Sequence, residues 1–241
     1  MKQLEVNDPS GAKYIIREQN GRDEDNLSRI DSDEATTINR HLATIIESGP
    51  SGRRMTLEDV EKLPLRHKYA LLIKSRIFSL GSDLIFDYVW EDDDEPIEYS
   101  VDLSEYVMDY STIPTEEVSP LTILPYSVTS PITLTLLSGA QVQFELLDGV
   151  GEKMLLGLKP NERTINKNLT ARFLKIYDGS KWVLVKNFMS FSAKDMVEIR
   201  RAVEEVDPPV TGNTTLVNPR TGESRVIPIL GIRDFFYPVK I

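Results

Sequence analysis

A chain of 241 residues with 40% hydrophobic and 27% charged side chains is long enough to bury a core without disulfide or metal staples. It has no cysteine, which excludes disulfides, thiolate zinc sites and cysteine nucleophiles. The net charge of −10 argues against a uniformly basic nucleic-acid binder, no apolar run approaches a membrane span, and the opening MKQLEVNDPSGAK lacks the apolar centre of a signal peptide.

In chain order, the first expected element is a hairpin of Gln3–Val6 with Lys13–Glu18. Asn20-Gly21 follows and reads as a strand-to-helix turn, because a helical pattern comes next. Leu27 and Ile30 begin an apolar stripe that Ile38, Leu42, Ile45 and Ile46 continue at helical spacing on a second helix. Thr56-Leu57-Glu58-Asp59 has the hydroxyl-then-acid spacing of a capping box and predicts a helix over Thr56–Leu63. A longer helix is expected from about Arg66 to Leu80, ended by Gly81. Leu84, Phe86, Tyr88 and Trp90 then alternate with Ile85, Asp87 and Val89 as a strand, and Ile97–Leu103 returns.

Residues 111–131, with four prolines, read as an extended connector. Beyond it the pattern recurs. Ser138-Gly139-Ala140 and Asp148-Gly149 repeat Ser10-Gly11-Ala12 and Asn20-Gly21 at an offset of 128, and Thr164-Ile165-Asn166 with Leu169 repeats Thr37-Ile38-Asn39 with Leu42 at 127. A period this long is a domain duplication rather than a solenoid unit. The second set begins with a hairpin of Ile132–Leu137 and Gln141–Leu147. A helical stripe of Ile165, Leu169, Phe173, Leu174 and Ile176 follows, then a hairpin at Lys181–Phe188 and a capped helix over Ser192–Val206. A last hairpin pairs Thr214–Asn218 with Ser224–Ile229. The expected fold is α+β, in two related modules, each a β-hairpin, a small helical bundle and a second β-hairpin. The expected units are an acidic module over 1–110, the connector over 111–131, and a diverged repeat over 132–241 with an aromatic tail.

Charge divides between the halves: residues 1–130 hold 13 basic against 26 acidic side chains, and residues 131–241 hold 15 against 12. The acidic half either keeps the protein soluble or offers an end to a basic neighbour. The densest run is Glu91, Asp92, Asp93, Asp94 and Glu95. It lacks the spaced oxygens and central glycine of a calcium loop, so it reads as a solvated hairpin tip or a contact for basic side chains of a partner. Phe235, Phe236 and Tyr237 sit near the end of the chain. Such a cluster either docks on its own domain or anchors another subunit.

Gly149-Val150-Gly151-Glu152-Lys153 lacks the spacing and hydroxyl of a phosphate loop and reads as a helix start. His41 and His67 assemble no acid–base–nucleophile set and read as surface or packing residues. Three glycosylation sequons read as accidental, since two fall in helical segments. No catalytic, metal-binding or cofactor-binding residue is expected. An enzyme built on an unidentified carboxylate pair is the least favoured class.

Three pieces carry a family resemblance: Ile15-Ile16-Arg17-Glu18 with Gly21-Arg22-Asp23-Glu24-Asp25, the segment KYALLIKSRIFSLG over Lys68–Gly81, and Leu84–Val89 with Val101-Asp102-Leu103. They resemble the baseplate hub proteins of T-even-like contractile-tailed bacteriophages, in which R-E-x-x-G-x-[DE]-E-D precedes the helices and L-L-x-x-x-R-x-x-S-x-G leads into a hairpin. Leu71, Leu72, Arg76, Ser79 and Gly81 match that helix. The hairpin departs, with Glu91–Glu95 where relatives often carry cysteine pairs. The resemblance implies a non-enzymatic virion protein of the tail baseplate, assembled in the host cytoplasm. It would bridge other phage tail proteins, hetero-oligomeric, with no cofactor, nucleic acid or membrane span. The alternative is an assembly chaperone absent from the mature particle.

Overall fold

The first hairpin turns on Asp8, whose carboxylate accepts from the backbone N–H of Ser10 (2.8 Å) and Ala12 (3.0 Å). Gly11 takes a φ of +82° there, which a residue without Cβ adopts freely. The computed structural model describes residues 2–8, 10–28, 34–91, 95–106, 130–207, 213–229 and 235–236. The turn joins β1 (Gln3–Asn7) to β2 (Lys13–Arg17), antiparallel with Val6 opposite Tyr14. Helices α1 (Gly21–Ser28) and α2 (Glu34–Ile45) follow, and β3 (Ile46–Ser48) closes an antiparallel sheet of order β1-β2-β3. Next come α3 (Leu57–Glu61), with the expected Thr56–Asp59 capping box, and α4 (Leu65–Leu80). The hairpin of β4 (Asp83–Tyr88) and β5 (Ile97–Asp102) ends the set.

The second set repeats this order. β6 (Ile132–Thr135) and β7 (Gln141–Phe144) form a hairpin whose turn has Gly139 at φ +84°. Gly139 N–H donates to the Leu136 carbonyl at 2.8 Å, as Gly11 N–H donates to that of Asp8 at 2.9 Å. Helices α5 (Gly149–Leu156) and α6 (Ile165–Ala171) follow, then β8 (Lys175–Tyr177), which pairs with β7 as β3 pairs with β2. One strand is added, β9 (Trp182–Leu184), making a four-stranded sheet of order β6-β7-β8-β9. Helix α7 (Ala193–Val206) carries the expected Ser192–Asp195 capping box and begins 128 residues after α4. The hairpin of β10 (Asn213–Val217) and β11 (Ser224–Pro228) completes the series. The α+β expectation holds, with small antiparallel sheets against several helices.

Two local expectations are corrected. Ile46 and Ile176, placed on helical stripes, lie in β3 and β8. In both cases an open edge of the hairpin supplies a strand partner that helical spacing does not reveal. The hairpin expected at Lys181–Phe188 instead spans Lys175–Leu184. Its turn is fixed by the Asp178 carboxylate, which accepts from the N–H of Ser180 and Lys181, both at 2.9 Å, with Gly179 at φ +95°.

The described residues form two hydrophobic cores. The first gathers Tyr14, Ile16, Leu42, Ile45, Ile46, Leu71, Leu72, Leu84, Phe86 and Trp90. The second gathers Ile132, Val142, Phe144, Leu169, Leu174, Ile199, Val203 and Val206. The β10–β11 hairpin follows the second set in sequence, yet Leu216 and Ile229 pack in the first core, and so does Phe235. Packing thus groups the end of the chain with its beginning, whereas chain order set 132–241 together as one unit. Of the connector, only Ser130 and Pro131 lie among the described residues.

Candidate functional site

The residues that carried the family resemblance meet in space. Arg17, at the end of β2, grips both carboxylate oxygens of Asp23 in α1, at 2.6 and 2.7 Å. Asp23 also accepts from the N–H of Asn20 at 2.9 Å, which fixes the strand-to-helix turn. Both partners are buried. Burial alone would raise the Asp23 carboxyl, but the Arg17 guanidinium and the Asn20 N–H outweigh it and hold it below the usual range. The next residue of the same motif region, Gln19, donates its N–H to the Ser79 hydroxyl of α4 at 3.0 Å. One turn earlier, Arg76 is buried and donates to three backbone carbonyls: Gly81 (2.8 Å), Asp83 (3.4 Å) and Phe235 (2.9 Å). Arg76 therefore ties the end of α4, the start of β4 and the end of the chain together. A guanidinium suits this task, since its fan of donors can serve several acceptors while it stays charged.

A second polar cluster lies where the two modules meet. Arg66, His67 and Lys68 open α4 and are all buried. Lys68 Nζ lies 2.9 Å from Asn39 Oδ1 and 3.3 Å from Glu152 of α5. Burial pushes its pKa down, against the pull of Glu152. Lys153 reaches Glu61 at 2.6 Å. Arg66 donates to the carbonyl of Val206 at 2.7 Å, and Leu65 N–H to that of Leu147 at 2.8 Å. Gly149 permits the close approach, because a Cβ there would lie 2.9 Å from the Glu61 carbonyl oxygen.

Both histidines are buried packing residues of the first module. His67 Nδ1 lies 3.0 Å from Asp8, which also accepts from the Tyr14 hydroxyl at 3.1 Å. His67 Nε2 is enclosed with no hydrogen-bond partner among the described residues. With no solvent access, this arrangement holds the Asp8 turn on α4. His41 faces Gln19 at 3.2 Å, and burial lowers its pKa to about 4.

The acidic tip and the aromatic tail are engaged within the chain. Glu91 pairs with Arg225 and Glu95 with Arg220, each at 3.1 Å, both cations coming from the β10–β11 hairpin and its turn. Arg225 also donates to the Tyr88 hydroxyl at 3.0 Å and lies over the Trp90 ring. The run reads as a solvated tip or as a contact for a partner's basic side chains, and here the chain itself supplies two cations. The carboxylate side chains stay 80% and 76% exposed. Phe235 is only 1% exposed, inside the first core, and Phe236 sits edge-on against His41 with centroids 6.3 Å apart. Phe235 therefore follows the self-docking alternative and has no surface left to present. Asp92, Asp93, Asp94 and Tyr237 lie outside the described residues.

Sequence reasoning missed the seam between modules and the buried pair of Arg172 with Asp207 (3.0 Å). The one available signal was the run of three consecutive basic residues, Arg66, His67 and Lys68, at the start of α4. Among the described residues, no group of three or more His, Asp or Glu is placed to hold a metal ion, and no helix is long and apolar enough to cross a membrane.

No curated protein and no solved structure matches the chain. A family model described as T4 bacteriophage base plate protein matches residues 1–237. The match takes in both modules, the Arg17–Asp23 clamp and the Arg76 junction, and the chain belongs to this family of phage baseplate proteins.

Proposed function

We propose that the chain is a non-enzymatic structural subunit of a contractile-tail baseplate, bridging other tail proteins as one stiff body with two recognition faces. The observation that supports this reading is the buried seam. Two separate cores are joined through Lys68, Glu152, Lys153, Glu61 and Arg66 rather than by a tether alone. Lys68 and Arg66 are buried, while Glu152, Lys153 and Glu61 are half-buried. Leaving the buried Lys68 without its partner is costly, so each head keeps a set direction relative to the other. The recurrence of elements at a near-constant offset supports duplication of one module as the origin of the two heads. The exposed acidic tip on the first module and the exposed Leu137, Met189 and Val197 on the second give the heads different surfaces. Mass spectrometry of purified virions after chemical cross-linking tests the proposal. A bridging subunit appears at fixed stoichiometry, with cross-links from both modules to different tail proteins. Its absence from mature particles would sink the reading and leave a transient assembly chaperone.

A further inference from the structure

The end of the chain shows what the space between the second and last helices of a module can hold. In the first module, Phe236 meets His41 of α2 edge-on and the Phe235 carbonyl accepts from Arg76 Nε of α4, while the Phe235 ring is buried. The aromatic pair Phe235–Phe236, in a tight turn, thus lies across α2 and α4. At the repeat offsets, Ile38, His41 and Leu42 correspond to Ile165, Asn168 and Leu169, and Leu72, Ser75 and Arg76 to Arg200, Val203 and Glu204. Those second-module residues line an open cleft of about 370 Å³ between α6 and α7. The volume falls within the roughly 300–1,000 Å³ of small ligand sites. Leu169 and Val203 are buried, and Ile165 is 52% exposed at the edge.

We propose that the α6–α7 cleft is a docking groove for a short acidic segment of another tail protein, which inserts an aromatic side chain as the chain's own end does between α2 and α4. The polar atoms select the occupant. Arg172 and Asp207 cancel each other at 3.0 Å, both buried. This leaves Arg163 and Arg200 against Glu204 among the lining charges, a surplus of one positive charge that favours a carboxylate beside the aromatic group. Glu204 stands where Arg76 serves the Phe235 carbonyl. The chain's own tail in that register would set carbonyl against carboxylate, two acceptors with no proton between them. A segment offering a backbone N–H at that point avoids the clash.

This inference rests on the bridging reading, because it gives one head its partner chemistry. It is tested on the isolated full-length protein with fluorescent synthetic peptides: Gly-Asp-Asp-Phe-Phe-Asp-Gly, the same peptide with Lys for Asp, and a peptide of residues 232–241. The acidic peptide should bind and shift the methyl resonances of Ile165, Leu169 and Val203. Arg200→Glu should weaken it at least tenfold, and so should Ile165→Asp at the half-exposed edge, with the thermal midpoint of each variant measured alongside. No binding by the acidic peptide, or shifts confined to other residues, overturns the proposal. Equal binding of the 232–241 peptide in the cleft also overturns it, by making a second copy the occupant. Virion mass spectrometry is independent of this result, so the groove can fail while the baseplate role stands.

Discussion

In the first module the space between α2 and α4 is closed by residues almost 160 positions away from α4 in sequence, Phe235 bonded to Arg76. In the second, the matching space is crossed by the buried pair Arg172–Asp207 and otherwise stays open. The difference traces to a few positions on one backbone plan. Ile45 and Leu72 of the first module are buried and apolar, and uncovered apolar surface costs free energy in proportion to its area. Their counterparts are Arg172, satisfied by its buried pair with Asp207, and the half-buried Arg200, so the second module has less apolar surface to cover there. The two modules thus reach opposite arrangements: one completed by the return of its own chain, the other left with a groove.

The largest expected effect comes from removing that lid. A chain ending at Asp207 loses Leu216, Ile229 and Phe235 from the first core. Each is worth ~1.5–3 kcal/mol of burial, and the sum rivals the ~5–15 kcal/mol of a typical domain. Hydrogen exchange should show amides of β2 and α2 losing protection while those of β7 and α7 keep it. Equal loss in both modules would mean one cooperative unit and would end the comparison.

Next in size are the buried ion pairs, one in each module. Arg17→Met strands Asp23, and Arg172→Met strands Asp207. Each should cost about 3–5 kcal/mol, the usual penalty for leaving a buried charge alone. Denaturant melts followed by Trp90 fluorescence for the first module and Trp182 for the second should show the loss in the mutated module first.

What the sequence made legible follows the same division between local and distant causes. Capping boxes at Thr56 and Ser192 and the two opening hairpins are written in neighbouring residues, and they appear in the structure. The strands β3 and β8 were hidden because Ile46 and Ile176 acquire their conformation from a partner edge far along the chain. The burial of Arg66, His67 and Lys68 was hidden for a like reason, since their partners belong to the other module or to distant turns. Phe235 was legible as an aromatic that must dock somewhere. Its seat depends on Arg76, which falls in the expected Arg66–Leu80 helix but which local pattern could not join to the chain end.

Histidine content gives the next prediction, because His41 in the first module corresponds to Asn168 in the second. Burial, with Arg17 adding to it and Asp23 opposing, holds the folded-state pKa of His41 near about 4. The unfolded value is about 6.5, so between them the unfolded chain binds the extra proton. The first module should therefore be fully stabilised by this residue above about pH 6.5 and lose ~3 kcal/mol as pH falls toward 4. Thermal melts across that range should show the loss, and His41→Asn, which copies the second module, should flatten it.

A smaller effect is expected at the seam. Gly149→Ala places a Cβ 2.7 Å from Lys68 Nζ and 2.9 Å from the Glu61 carbonyl oxygen. The lysine can move, the carbonyl much less, and such overpacking costs ~1–3 kcal/mol. Small-angle scattering should report a wider spread of module arrangements, with each core intact by hydrogen exchange.

The smallest effect is expected at the acidic tip. Glu95 and Arg220 meet at 3.1 Å with both side chains largely open to solvent, where an ion pair contributes ~0–1 kcal/mol. Arg220→Ala should barely move the thermal midpoint. Arg225→Ala should cost more, because that guanidinium also holds Tyr88 and lies over Trp90. The contrast separates the two jobs of one hairpin contact. Arg225 works through packing on the first core, which water cannot replace. The Arg220 pair with Glu95 lies largely in water, so its removal changes the charge at the tip more than the fold. Equal losses from the two substitutions would show that the chain's own end is held by charge rather than by packing.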